Sequence, residues 1–403
     1  MTNNLAVQLN RDSIEIDRDV FFALLSSTPV SALKVYKDAI AKKRISLTNL
    51  KSISEKEEIP YPLFFAPIDK VTLQLKNKER VLYEKVPAKD VVQLNARGSL
   101  DRNQISLIIK DLSRKQEFLK KRIITKMVDN TFIGLISKDV NDHKTNIFLA
   151  GTIRNYLEID LEELRDLSKP KVLKYIVYKA EQKGVLVSFS SHNFMPKNIP
   201  SEADFSGICI KDKKFPYVFI NTRDGDEKPK ILESDGRQVF TLLAMLVAIA
   251  MNKFVLNTKN QDKYGRGILK QVYSIAGEII IPIHELCGFN VSNLDDLEKY
   301  SKVFKVTPSM LLFRLKLAGR IGKDLNDILR SQLLSKIESA NTSHGHAPLP
   351  ETGYGKYNGQ FFSREVVKAY KGGRLSQIDV NNVLFRKGKH TTTLLHDYCN
   401  AFK

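Results

Sequence analysis

The side chains best suited to chemistry in this chain are scattered along it. The histidines are His143, His192, His284, His344, His346, His390 and His396. No two stand four apart, the spacing that sets a metal-binding pair on one helical face. His344 and His346 form an HxH in a loop of small residues, where solvated imidazoles are the ordinary case. His284 and Glu285 follow Pro282 and read as a polar pair at a helix end. Cys209, Cys287 and Cys399 are far apart and form no CxxC. That spacing suggests neither a disulfide framework nor a zinc knuckle, and fits free thiols in a reducing cytoplasm. No Ser/His/Asp or Cys/His grouping stands out, and no GxxxxGK[ST] loop or GxGxxG fingerprint occurs. Neither a metal nor a cofactor is expected.

What the chain does carry is positive charge. Its 403 residues include 64 Lys and Arg against 45 Asp and Glu, a net charge of +19. An excess of that size attracts polyanions, either nucleic acid or an acidic protein. Two stretches concentrate it. "TPVSALKVYKDAIAKKRISLTNLKSIS" holds Lys34, Lys37, Lys42, Lys43 and Arg44, and "KVTPSMLLFRLKLAGRIGK" holds Arg314, Lys316 and Arg320. Each reads either as phosphate contacts from a helix-turn-helix or as a solvated helix face. The first lacks the usual glycine turn between its helices.

The elements that would position these residues are mostly helical. Residues 1–70 hold short helical patterns closed by "IPYPLFFAP", a proline-rich apolar strap. Residues 101–127 read as a long amphipathic helix with Ile105, Ile108, Leu112, Phe118 and Leu119 on one face. "VLVSFS", "FSGICIKD" and "FPYVFINTRD" read as strands, the last two joined by the turn "KDKK". The longest apolar run, within "GRQVFTLLAMLVAIAMNKF" at 236–254, lasts for only about thirteen residues before Asn252 and Lys253, short of the roughly 18–20 that span a bilayer. A Gly/Pro/His-rich loop or linker, "SANTSHGHAPLPETGYGKYNGQF", precedes the closing helices. The N-terminus shows no secretory signal pattern. A cytoplasmic protein without a membrane span is expected.

Several of these segments, in this order, resemble the ImmA/IrrE family of metallopeptidase-like proteins, in its long form with an N-terminal Xre-type helix-turn-helix. "LIIKDLSRKQEFLKKRI" looks like the family's linker helix, and "KAEQKGVLVSFS" with "FSGICIKDKKFPYVFIN" resembles the strands before the active-site helix. "FTLLAMLVAIAM" stands where the family has FTLAHELGHLL, and "SIAGEIIIP" resembles FAAELLMP. "LEKYSKVFKVTPSMLLFRLKLAGRI" resembles the small helical unit that follows, and "VVKAYKGGRLSQIDVNNVL" the tail of long members.

The resemblance implies an α+β fold, mainly helical with a small sheet: a zincin-like domain flanked by helical domains. Its parts would be a degenerate Xre-like domain at 1–70, a helical linker at 71–145, and the zincin-like domain at 146–290. A small helical unit at 291–335 and a tail at 336–403 would follow. In the family an HExxH helix binds zinc through two histidines, and its Glu activates water. Here those positions are Ala244 and Ala248, with Met245 at the base. The third, acidic ligand would fall near Leu269, Lys270 and Gln271, where no acid stands. The implied protein is a pseudo-peptidase, not an enzyme. It would be an antitoxin or transcriptional repressor that binds DNA and a protein partner such as a toxin.

In active relatives the strand matching "YVFIN" borders the cleft. Phe219, Asn221 and Arg223 are therefore candidates for holding a partner segment, or else core and turn residues. Two alternatives stay open: a nucleic-acid-binding phage-defence or mobile-element protein that uses the fold as scaffold, and a hydrolase with a rebuilt metal site.

Overall fold

The computed structural model of the chain describes residues 4–25, 33–57, 59–84, 91–92, 102–124, 128–191, 206–222, 235–255, 266–339, 349–385 and 392–402. The chain divides into two compact units, one of residues 1–85 and 101–110, the other of residues 86–100 and 111–403.

The first unit opens with β1 (Asn4–Leu9) and β2 (Asp12–Asp17), followed by α1 (Arg18–Leu25) and α2 (Lys34–Lys42). Then come β3 (Arg44–Ser46), α3 (Leu47–Lys56), a 3-10 turn (Tyr61–Phe65) and α4 (Ile68–Glu84). In β1 the buried Leu5 and Val7 alternate with Ala6 and Gln8, the period of a strand with one covered face. Asn10, at φ 52°, turns the chain so that Leu9 pairs with Asp12. Asparagine tolerates that left-handed backbone better than most residues. β3 adds parallel to β1, giving the order β2-β1-β3. Leu5, Val7, Ile16 and Ile45 join Phe21, Leu50, Phe64 and Val71 in one core.

The reading of residues 1–70 as short helical patterns closed by an extended strap is corrected here. The first residues are a β-hairpin, because their apolar residues repeat every second position. β3 occupies the stretch between α2 and α3 where a helix-turn-helix would have its tight turn. The proline-rich strap is a 3-10 turn that buries Phe64, since proline at its second position suits a helical start. The unit also continues past residue 70: Val71 on α4 belongs to the same core.

Chain order continues with β4 (Val91–Val92), α5 (Arg102–Phe118), α6 (Ser137–Asn141), α7 (Asn146–Leu157), α8 (Leu161–Asp166) and α9 (Lys169–Gln182). Next are β5 (Leu186–Phe189), β6 (Gly207–Ile210), β7 (Tyr217–Ile220), α10 (Asp235–Ala250), β8 (Phe254–Val255) and α11 (Arg266–Ile280). The chain closes with α12 (Leu294–Val303), α13 (Pro308–Leu317), α14 (Lys323–Ser339), α15 (Pro350–Asn358), α16 (Gln360–Lys371), α17 (Gln377–Val380) and α18 (Thr392–Ala401). The fold is mainly helical with small mixed sheets, an α+β arrangement.

The second unit is built on a sheet of order β4-β8-β6-β7-β5. β5 runs parallel to β7, while β6 is antiparallel to both β7 and β8. The expected β6–β7 hairpin forms, and Asp212 Oδ1 closes its turn by accepting from the Lys214 and Phe215 amides, each at 2.9 Å. α10 covers one face of the sheet, and α15 and α16 pack at β5. Tyr217 and Phe219 point to the side of α15: Tyr217 Oη donates to the Asn358 carbonyl, and Phe219 meets Tyr357 edge-on.

α15 corrects the reading of 350–358 as a loop. Pro350 stands in the first turn of the helix, and Gly355 is buried against the Phe402 ring. Gly355 serves close packing rather than a bend. Among the described residues no helix is long and apolar enough to cross a membrane.

Candidate functional site

The site that the sequence singles out lies on α10. Ala244, Met245 and Ala248 have no exposed surface, and the flanking Leu243, Leu246, Val247 and Ile249 have none either. A helix apolar all round belongs in a core. Met245 lies over Gly207 at the start of β6, where a Cβ would come within 2.6 Å of Met245 Cε and 2.4 Å of the Phe219 carbonyl oxygen. Glycine at 207 is what lets α10 approach the sheet this closely. On the opposite flank Phe240 packs against Tyr273 of α11 with ring centres 5.5 Å apart. Gln271 is half-buried on α11, with Leu269 half-buried and Lys270 exposed. Among the described residues no group of three or more His, Cys, Asp or Glu is placed to hold a metal. His284 and His396 are exposed; His192, His344, His346 and His390 lie outside the described residues.

An acid does occur further along α11. Glu278 is buried and forms an ion pair with Arg314 of α13, and its Oε1 accepts from the Ile283 amide at 3.0 Å. Arg314 also donates from Nε and Nη2 to the Ile281 carbonyl at 3.1 and 2.8 Å. Two more arginines reach the same helix end. Arg154 donates to the Glu278 carbonyl at 2.7 Å, and Arg165 to the Ile280 carbonyl at 2.6 Å. The last carbonyls of a helix have no partner within it, and cations there also oppose its dipole. This cluster closes α11. Arg314 is therefore removed from the nucleic-acid candidates: at 2% exposure it is a buried helix-end clamp. Lys316 and Arg320 remain exposed, and Arg320 Nη2 donates to Cys287 Sγ at 2.8 Å.

The partner-binding candidates are also corrected. Phe219 is fully buried, and its strand β7 lies between β6 and β5 rather than at an edge. Asn221 is 1% exposed; its amide donates to the Ser206 carbonyl at 2.9 Å, and its Oδ1 accepts from Ser190 Oγ at 3.2 Å. Arg223 lies outside the described residues. The sequence showed one hydrophobic strand but not that helices would cover both of its faces.

Strand β5, on the far side of β7, is closed as well. Its Leu186 and Ser190 amides donate toward β7, so Val187 between them turns its amide and carbonyl outward. Glu181 Oε2 accepts from the Phe361 amide at the start of α16 at 3.0 Å, and the Val187 and Gln360 amides also favour the charged form of this carboxyl. Gly359, at φ +85°, lies so close to the Val187 carbonyl that a Cβ would stand 2.3 Å from its oxygen. An exposed strand edge invites pairing, and this one is blunted. Burial pushes the Glu181 carboxyl up to about 7, against the pull of those amides and of Arg364 at 3.8 Å. Nothing in the sequence marked Glu181, which reads as one more helix charge.

The N-terminal candidates Lys34, Lys37, Lys42, Lys43 and Arg44 are all exposed. Lys42 pairs with Asp38 at 3.6 Å, a surface contact of small weight. Lys43, at φ 50°, ends α2, and Arg44 begins β3. Arg44 lies beside Ala6 of β1, whose other neighbour is Glu15 of β2. Residues in register share a face, so Arg44 shares its side of the sheet with an acid, whereas the lysines project from α2.

Comparisons with protein-family models, with curated proteins and with solved structures find no match to this chain.

Proposed function

We propose that this chain is a catalytically inactive, metallopeptidase-like regulatory protein: a zincin-like pseudo-peptidase with helical flanks that works by stoichiometric binding in the cytoplasm. The observation that carries the reading is α10. At the positions where the resembling family keeps two histidines and a glutamate, Ala244, Ala248 and Met245 are buried without a polar atom among them. A buried alanine neither ligates zinc nor activates water. The nearest acid of α11 beyond Gln271, Glu278, is held by Arg314.

In this reading the α2 lysines contact nucleic acid phosphates and the second unit holds a protein partner, as in an antitoxin or repressor. A partner that prefers one bound state then changes DNA affinity by linkage. The exposed Lys34, Lys37, Lys42 and Lys43 support phosphate contact.

Fluorescence anisotropy with duplex DNA from the chain's own upstream region, titrated across salt, tests it. Preferential binding is expected, with the salt slope falling by about one for each α2 lysine changed to glutamate. Equal affinity for generic DNA and RNA favours the scaffold alternative. Chelator-sensitive peptide cleavage overturns the pseudo-peptidase reading.

A further inference from the structure

The helices that follow the sheet carry a surface of a particular kind. Across residues 299–323, which take in the end of α12 and all of α13, lysines and arginines recur without a single Asp or Glu. The acids of α12, Asp295, Asp296 and Glu298, all lie before this stretch. On α13, Met310, Leu311, Leu312, Arg314 and Leu315 face inward. The outward positions are Phe313, Lys316 and Leu317, and Arg320 follows in the turn beyond. Their spacing of three and four places them on one stripe. Phe313 is 37% exposed and Leu317 40%. The stripe alternates large apolar surface with positive charge.

That alternation selects among polyanions. A helix reading a DNA groove needs outward groups that donate or accept hydrogen bonds, and neither Phe313 nor Leu317 offers one. A membrane surface asks for a broad apolar face, but the more apolar side of α13 is already turned into the core. An acidic amphipathic helix satisfies both parts: its leucines cover Phe313 and Leu317 while its carboxylates pair with Lys316 and Arg320. We propose that the outward face of α13 docks an acidic, leucine-bearing helical segment of a partner protein. The proposal rests on the binding reading given above and names the chemistry of the partner it leaves open.

The test uses the full chain and a fluorescein-labelled synthetic helix of glutamates with leucines at every third or fourth position. Saturable binding is expected, weakened about tenfold or more by Phe313→Ser with Leu317→Ser, and likewise by Lys316→Glu with Arg320→Glu. Unchanged thermal unfolding of these surface variants shows that the fold is intact. A polyglutamate peptide without leucines should bind no better than the charge-reversed variant binds the probe.

Absence of saturable binding, or binding that both variant pairs leave unchanged, overturns the proposal. So does finding that both pairs weaken duplex DNA or anionic vesicle binding and leave the peptide alone. These failures are separable from failure of the functional reading, because DNA binding through the α2 lysines and the lack of proteolysis do not involve α13.

Discussion

The two faces of the central sheet solve the same packing problem with opposite chemistry. On one side α10 presents a mostly apolar surface, with Met245 over Gly207 and Gln238 and Thr241 as buried polar residues nearer its start. On the other side the end of α5 and the C-terminal helices bury a polar network. Asp111 pairs with Lys115 at 3.4 Å and accepts from Tyr357 Oη. Lys115 Nζ also donates to the Tyr357 carbonyl at 3.1 Å and sits 3.8 Å above its ring. Asn358 donates to the Leu384 carbonyl and meets Tyr398 Oη, which lies 2.7 Å from Ser363 Oγ. Burial pushes the Tyr217 and Tyr398 phenols well above their ordinary range.

Buried charges with partners on several elements act as a docking key, because each partner must arrive in one geometry. The comparison separates two meanings of a buried site. Polar groups are buried where they fix the position of the C-terminal helices, whereas Ala244, Met245 and Ala248 of α10 are buried among apolar neighbours.

The largest test of that contrast is on the polar face. Asp111→Ala leaves Lys115 charged in the interior, and a loss of about 3–5 kcal/mol is expected in urea unfolding. A loss under about 1 kcal/mol would reduce the network to decoration. Next is Glu181. Its folded carboxyl is raised from 4.5 to about 7, so its stabilising share is complete below 4.5 and is lost as pH rises through about 7. Relative to Glu181→Gln, the wild type should lose about 3 kcal/mol across that window. Parallel curves of stability against pH would contradict this.

On the apolar face the effects are smaller. Gly207→Ala drives a methyl against the Phe219 carbonyl and Met245, costing about 1–3 kcal/mol. Adding Met245→Ala should recover only part of that, since the carbonyl belongs to the backbone; full recovery would mean that α10 alone sets the spacing. Smallest is Met245→Leu, which conserves volume and should cost less than about 1.5 kcal/mol in thermal or urea unfolding. A larger cost would give Met245 a role beyond filling space.

The elements of the second unit were largely legible. Unbroken apolar runs marked α10 and the β6–β7 hairpin, and Thr307 before Pro308 marks the start of α13, where it accepts from the Met310 amide. Other features depend on partners distant in sequence. Lys115 read as one of several surface lysines on a basic helix, because no local pattern shows that Tyr357 will close over it. Arg314 had the spacing of a DNA contact, but its fate was set by Glu278 on another helix. Val187 and Glu181 meet at a strand edge that only the sheet order reveals. The N-terminal hairpin was missed because its strands are short and β2 is largely exposed, leaving little apolar contrast.

The proposal that the fold binds and does not cut has a consequence for metal content. It is tested most directly by the zinc content per chain of the full-length protein, purified without chelator. The account predicts far less than one zinc per chain, unchanged by substitutions on α10 and α11. One tightly held zinc per chain, lost when Gln271 or Glu278 is replaced, would contradict it.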